Sequence, residues 1–382
     1  MADPVIYLDH QATTPCEPAV VEAMAPWWSE QFANPSSRSH RPGLLAAAAV
    51  EQARGQIAGA LGVPANALVF TSGATEANNL ALKGLAEAEL LAGGSRRHLL
   101  CLSTEHRAVL DPLRYLSRHG FALTELPVPP SGMVDLEQFS QHLRTDTLLV
   151  SVMAANNEIG VLQPISAIAQ LCRERGIRFH CDGAQAVGHI PLQPAALGID
   201  LLSISGHKLY GPKGIGALVI GPGVQLAPQL HGGSQEQGLR AGSLPVPLIV
   251  GLAKALELAL ADQVERAVRL SVLRDRLWQR LESIGGIHRN GAAAPRLAHN
   301  LNIWIEGVDG AALQRALRPS VALSSGSACS SGKPSHVLQA LGLNRQQAAA
   351  ALRFGLGRHT SAAETEAAAE LVSAAITELR RR

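Results

Sequence analysis

The sequence predicts an α/β protein with a parallel or mixed sheet covered by helices on both faces, followed by a second, smaller α/β unit. Three observations predict it. Between residues 68 and 220, apolar runs of strand length alternate with segments whose apolar residues keep helical spacing. A long helical region over 246–284 then separates this series from a second, shorter alternation. Finally, 382 residues, 47% of them hydrophobic, suffice for two domains with a large core.

The elements follow in order. Residues 5–8 form a short strand before Asp9-His10-Gln11-Ala12-Thr13-Thr14-Pro15. Asn34-Pro35-Ser36-Ser37 leads into a helix around 43–61, with Pro35 and Pro42 marking turns and Gly62 ending the alanine-rich run. Leu68-Val69-Phe70 is a strand. Thr71-Ser72-Gly73-Ala74-Thr75-Glu76 then turns into a helix with apolar Ala77, Leu80, Ala81, Leu85 and Ala88. Such a start offers backbone N–H groups and a positive dipole end to an anion, with Ser72 or Thr75 adding hydroxyls; the same pattern also serves as a plain N-cap. Strand 99–102, helix 107–118, strand 121–126, helix 136–143, strand 147–153, helix 165–175 and strands 177–181, 200–204 and 216–220 complete the first series. Asp135 with Gln138 resembles a capping box for helix 136–143. The domain change falls near residue 262, inside the helical region. Beyond it come strand 299–305, helix 309–317, strand 321–324, helix 335–341, strand 351–356 and a last helix. Ser361 and Glu364 cap that helix, and Ala368, Leu371, Val372, Ala375, Ile376 and Leu379 form its buried stripe.

Lys+Arg 33 against Asp+Glu 31 gives no reason to expect nucleic acid or an anionic membrane as partner. No apolar run approaches the ~20 residues of a membrane span. The start, Met-Ala-Asp-Pro-Val-Ile-Tyr, has no basic segment followed by an apolar one, which points to the cytoplasm. Five cysteines, an odd number without C-x-x-C spacing, argue against a disulfide framework or a zinc site. Cys101 and Cys181 lie in apolar runs and read as core thiols. Cys329 sits among Ser324-Ser325-Gly326-Ser327-Ala328 and Ser330-Ser331-Gly332-Lys333, small polar residues suited to a mobile loop, and Lys333 would favour its thiolate.

Ligands on such sheets sit at the carboxyl ends of the strands. The polar residues there are Thr75, His106, Asn157, Asp182, Gln185, Ser205, His207 and Lys208. Neither a G-x-G-x-x-G nor a G-x-x-x-x-G-K-[ST] pattern accompanies them, so no nicotinamide or ATP fingerprint is present. The apolar run Leu201–Ile204 delivers Lys208 to a strand end. The lysine is either solvated on a loop or, if interior, of the kind that forms Schiff bases. On the second reading pyridoxal phosphate accounts for the rest. Asp182 would hold the pyridine nitrogen protonated, Gln185 would meet the ring oxygen and His106 would face the ring. The 73–75 turn, Ser205 and His207 would take the phosphate. Each of these residues also has a structural reading, as turn acid, cap or packed histidine.

These segments, with Asn156-Asn157-Glu158-Ile159-Gly160, Ser205-Gly206-His207-Lys208, His231-Gly232-Gly233-Ser234-Gln235-Glu236, Arg240-Ala241-Gly242-Ser243 and Ser324-Ser325-Gly326-Ser327-Ala328-Cys329, occur in one order from about residue 5 to 375. Together they resemble a cysteine desulfurase of the NifS/IscS kind, in the class-V aminotransferase group of fold-type-I pyridoxal-phosphate enzymes. The resemblance implies a large cofactor-binding domain (16–262) with a mostly parallel seven-stranded sheet. It also implies a small domain (1–15 and 263–382) carrying the cysteine loop. It implies that Lys208 bonds pyridoxal 5'-phosphate, with Asp182, Gln185 and His106 on the ring and Ala74, Thr75, Ser205 and His207 on the phosphate. Ser243 would reach the phosphate of the other subunit of a homodimer. Asn34, Asn157 and Arg353 would bind substrate, with Arg353 clamping its carboxylate and Asn157 also touching the cofactor. Catalysis would fall to Lys208, Cys329 and His106, with Cys329 taking sulfur from L-cysteine as a persulfide and L-alanine leaving. The sulfur would pass to an acceptor, such as an iron–sulfur scaffold protein or a thiolation pathway. A selenocysteine lyase or cystine C–S lyase on the same fold, or a non-catalytic cofactor-binding interaction protein, are the alternatives. The chain departs from the pattern at His10-Gln11, at Ser234 in place of a third glycine, and in a shorter stretch between Cys329 and His336.

Overall fold

The computed structural model describes residues 5–325 and 334–381. After β1 (Ile6–Tyr7) come seven strands of one sheet: β2 (Leu68–Thr71), β3 (His98–Leu102), β4 (Ala122–Leu126), β5 (Thr147–Ser151), β6 (Arg178–Asp182), β7 (Leu201–Ser205) and β8 (Gly216–Ile220). Their spatial order is β2-β8-β7-β6-β5-β3-β4. The run from β4 to β7 is parallel throughout, each step crossing over through intervening chain as parallel pairing requires. β8 is antiparallel to both neighbours. The link from β7 to β8 is too short to hold a crossover helix, so the chain turns straight back. Strands β2, β3, β5 and β7 are buried along their whole length, as strands covered by helices on both faces should be.

The second unit has β9 (Ile287–Arg289), β10 (Asn300–Ile305), β11 (Val321–Ala322) and β12 (Ala351–Gly355). β10 pairs antiparallel with both β9 and β12, while β1 returns to lie parallel to β11. The N-terminal strand thus belongs to the later part of the chain. β9 has no counterpart in the sequence reading; it has three residues and one buried side chain, too few to show a period.

The helical region over 246–284 is two helices, Val246–Ala261 and Gln263–Glu282, meeting at Asp262. The first packs Ile249, Leu252 and Leu256 into the core of the large sheet; the second packs Leu270, Leu273, Leu277 and Leu281 into a separate core with Leu301, Ile303 and Phe354. Gly62, at φ 67°, closes the Arg41–Leu61 helix in the left-handed conformation that favours glycine. Ser361 and Glu364 cap the last helix reciprocally, backbone N–H to side chain at 2.8 and 3.1 Å. Its buried stripe is narrower than the sequence predicts: Ala368, Val372 and Ile376 are buried, but Leu371 is 38% exposed. Ala369 is buried beside this row and Ala375 and Leu379 pack against the core at its edge, while Leu371 lies on the rim.

One close approach shapes the site. A Cβ on Gly216 would lie 2.7 Å from the Gly73 Cα and 2.3 Å from the Ile204 carbonyl oxygen. A glycine in β8 lets the Gly73 turn sit against the sheet beside β7.

Candidate active site

A cavity of about 490 Å³ opens at the carboxyl ends of β2, β6 and β7, with residues 11–13 and Arg353 of β12 also lining it. The topology therefore brings Ala74, Thr75, His106, Asn157, Asp182, Gln185, Ser205, His207, Lys208 and Arg353 to one space.

Lys208 ends a short 3-10 turn after β7 and is half-buried. Its Nζ donates to the carbonyl oxygens of Gln11, at 2.5 Å, and Ala12, at 2.8 Å. Of the two readings open in the sequence, the solvated surface lysine is thereby excluded. The 11–14 stretch is tied to the Lys208 turn at further points. Thr14 N–H donates to the His207 carbonyl at 3.0 Å, and Thr13 Oγ1 meets His207 Nδ1 at 3.1 Å. Burial, then the charges of Lys208 and Lys213, push the His207 imidazole down to about 4, so it is neutral near pH 7.

Asp182 ends β6 and is buried. Asn78 Nδ2 donates to its Oδ2 at 2.8 Å, and the Ala184 N–H donates to its Oδ1 at 2.9 Å. Behind it His180 bridges the hydroxyls of Ser151 and Ser203, at 2.8 and 3.0 Å. Burial holds His180 at about 4 despite the Asp182 charge, so it stays neutral. Gln185 Nε2 donates to the Gln11 carbonyl at 3.1 Å.

The Ala74–Leu91 helix begins after Gly73 with no side-chain hydrogen bond at its N-cap. The first-turn N–H groups and the dipole end lie at the cavity wall, suited to an anion. Ser72 N–H instead donates to Glu76, which Arg240 holds at 2.9 Å. His106 does two things: it lines the cavity and accepts from the Ala108 N–H at 3.1 Å as cap of the next helix.

Arg353 is 1% exposed. Its Nη1 donates to the Asn157 carbonyl at 2.9 Å and its Nη2 to Asp9 Oδ1 at 2.7 Å. Among the described residues, Arg353 Nε, Asn157 Oδ1 and Gln11 Nε2 are buried and have no hydrogen-bond partner. Native structures seldom keep such atoms unless something else satisfies them. An amine, a fixed carboxylate, an uncapped helix start and unpartnered polar atoms around one cavity fit pyridoxal phosphate and an amino-acid substrate.

Two predicted site residues lie elsewhere. Asn34 Nδ2 donates to Ser243 Oγ at 3.4 Å on an exposed surface, and neither residue lines the cavity. Cys329 lies outside the described residues. The chain on either side is held close to site residues: Arg353 N–H donates to the Ser324 carbonyl at 2.6 Å, and His336 Nε2 meets the Glu105 carbonyl at 2.9 Å. Cys101 and Cys181 are the core thiols the sequence suggests, pushed well above the ordinary thiol range by burial. Sequence reasoning missed Asn78 and gave Gln11 no role. Asn78 had a signal: it shares a helical face with Ala81 and Leu85, where a polar residue stands out.

The Aminotransferase class-V family matches residues 6–367. The cysteine desulfurase IscS of Rickettsia akari (strain Hartford) is 45% identical over 381 residues, 98% of this chain and 92% of the relative. That of Rickettsia felis (strain ATCC VR-1525 / URRWXCal2) is 44% identical over 380 residues, 98% and 92% of the two chains. Among solved structures, a NifS-like protein superposes with a TM-score of 0.92 at 34% identity, covering 98% of this chain and 100% of its own. SspA in complex with cysteine superposes with a TM-score of 0.80 at 38% identity, covering 93% and 99%. With nearly its whole length matched in sequence and in fold, the chain belongs to the class-V aminotransferase family.

Proposed function

We propose that the protein is a pyridoxal-phosphate-dependent cysteine desulfurase that moves the sulfur of L-cysteine to Cys329 and releases L-alanine. The convergence of Lys208, Asp182, Gln185, His106, Asn157 and Arg353 on one cavity carries this reading. Its relatives named cysteine desulfurase, at 45% identity, support the same chemistry.

Lys208 would bond the cofactor, Asp182 would keep its ring nitrogen protonated, Gln185 would meet the ring oxygen and His106 would face the ring. The N–H groups of Ala74 and Thr75, with Ser205 and His207, would hold the phosphate. When bound, the group supplies an electron sink that stabilises negative charge at the substrate Cα. Arg353 and Asn157 hold the substrate carboxylate. Displaced by the substrate's amine, the freed Lys208 Nζ would take the Cα proton, and His106 would pass protons. The Cys329 thiolate attacks the substrate sulfur: an S–S bond forms, the C–S bond breaks, and its electron pair stays with the carbon skeleton. That skeleton gains protons and leaves as L-alanine, and the persulfide sulfur passes to an acceptor, in iron–sulfur cluster assembly or thiolation.

Asn34 and Ser243 form one exposed pair outside the cavity. They would serve a site only across an interface, which favours a homodimer in which Ser243 reaches the partner's phosphate. The division into a cofactor unit over 16–262 and a second unit formed by 1–15 and 263–382 belongs to the same reading. So does a cytoplasmic location; among the described residues no helix is long and apolar enough to cross a membrane.

The test is release of alanine and sulfide from L-cysteine with a thiol reductant, for the native protein and Cys329→Ala side by side. The native protein releases both and the variant neither. Equal activity of the two would remove Cys329 from the mechanism and favour a C–S lyase.

A further inference from the structure

We propose that Gln11 is a substrate-binding residue whose side-chain amide donates to the α-carboxylate of the amino acid, beside Arg353. The proposal rests on the cysteine desulfurase reading for the identity of the substrate.

Gln11 lines the cavity and is 1% exposed. Its backbone carbonyl accepts from Lys208 Nζ and Gln185 Nε2, so the residue sits among the site groups. The orientation of its amide follows from a chain of donors. Arg296 Nη2 donates to one terminal atom of Asn300 at 2.8 Å, and a guanidinium has no acceptor, so that atom is Oδ1. Asn300 therefore presents Nδ2 on its other side, where it donates to the Glu158 carbonyl at 2.9 Å and to Gln11 at 2.6 Å. Gln11 must meet Nδ2 with its oxygen. The usual ambiguity between amide oxygen and nitrogen is thus removed at both residues, and Gln11 Nε2 faces away from Asn300.

That Nε2 is buried and has no partner among the described residues. Arg353 Nε is in the same condition, its two terminal nitrogens being taken by Asn157 and Asp9. The two residues come from adjoining backbone: a Cβ on Gly355, two positions after Arg353, would lie 2.8 Å from the Gln11 nitrogen. Two unpartnered donors require acceptors, and a carboxylate has two oxygens to offer. An amine or a thiol has too little acceptor capacity to satisfy both. The other anion the reading calls for, a phosphate, would be served by the uncapped helix start at Ala74.

The experiment uses the cofactor-loaded protein in three forms: native, Gln11→Glu and Gln11→Met. Gln11→Glu keeps an oxygen for Asn300 and replaces the donor with an acceptor. Gln11→Met removes the donor without adding charge and keeps the side-chain length. L-alanine and, separately, ethylamine are titrated against the cofactor absorbance. Gln11→Met is expected to weaken L-alanine about tenfold and Gln11→Glu by more, the range for a lost hydrogen bond to a charged group. Ethylamine, which has no carboxylate, should bind all three forms within about twofold. With L-cysteine as substrate, KM should rise by the same factors while kcat changes little. Equal weakening of L-alanine and ethylamine would mean a structural role, and no weakening of either would mean no role; both outcomes overturn the proposal. If Gln11→Glu does not fold, Gln11→Met decides alone. If the native protein binds L-alanine but releases no sulfide from L-cysteine, the desulfurase reading fails while the titration still tests Gln11.

Discussion

Asn78 Nδ2 donates to Asp182 Oδ2 across 2.8 Å, joining the second turn of the Ala74–Leu91 helix to the end of β6. Both side chains are buried. The helix that offers its N-terminus to an anion thus also orients the carboxylate assigned to the ring nitrogen. Replacing Asn78 with Leu removes one of two donors and leaves a buried carboxylate less satisfied, a loss of about 1–3 kcal/mol. The expected result is roughly tenfold weaker cofactor retention and a lower melting temperature. Cofactor absorbance after dialysis, with a thermal melt, checks it.

Arg54 and Glu236 form a buried pair at 2.6 and 3.1 Å, and Glu236 also accepts from the Phe70 N–H at 2.7 Å. Removing one partner of such a pair leaves an uncompensated charge, at a cost of about 3–5 kcal/mol. Arg54→Met should unfold well below the native protein in a denaturant titration. Arg54→Met combined with Glu236→Gln should recover part of the loss, since the buried charge is then gone.

Most of this architecture was legible in the sequence, for a physical reason. Strands such as Leu99–Leu102 and helices such as 165–175 carry their periods over enough residues to be read. β9 does not, with one buried residue of three. Within the site, Lys208, Asp182 and Gln185 stand out because each ends or follows an apolar strand. Gln11 and Arg353 are harder to read. They come from opposite ends of the chain, and the pairing of Asp9 with Gly355 sets them side by side. Leu371 shows the opposite error, an apolar residue assigned to a stripe whose edge is exposed.

Stability should depend on pH in one direction. His180, His189 and His207 are each held at about 4, by burial first, against 6.5 for an ordinary histidine. Between these values the unfolded chain binds more protons than the folded one, so stability falls as pH drops from about 6.5 toward 4. Above that window these groups add no pH dependence. Melting temperatures from pH 8 to pH 4 check it, and His180→Gln should flatten the acid limb.

Arg353→Lys keeps the charge but loses the planar fork. It also loosens the contacts to Asp9 and to the Asn157 carbonyl. The KM for L-cysteine should rise about tenfold or more, the range for a lost charge-assisted pair. Steady-state kinetics check it, with kcat far less affected than KM.

Sulfur transfer to Cys329 is tested most directly by a single-turnover experiment without reductant. The cofactor-loaded native protein is mixed with L-cysteine, quenched and digested, and the peptide containing Cys329 is weighed. The expected result is a gain of one sulfur atom at Cys329, matched by one equivalent of L-alanine, with neither product in Cys329→Ala or Lys208→Ala. L-alanine formed with no sulfur on Cys329, or formed equally by Cys329→Ala, would contradict it.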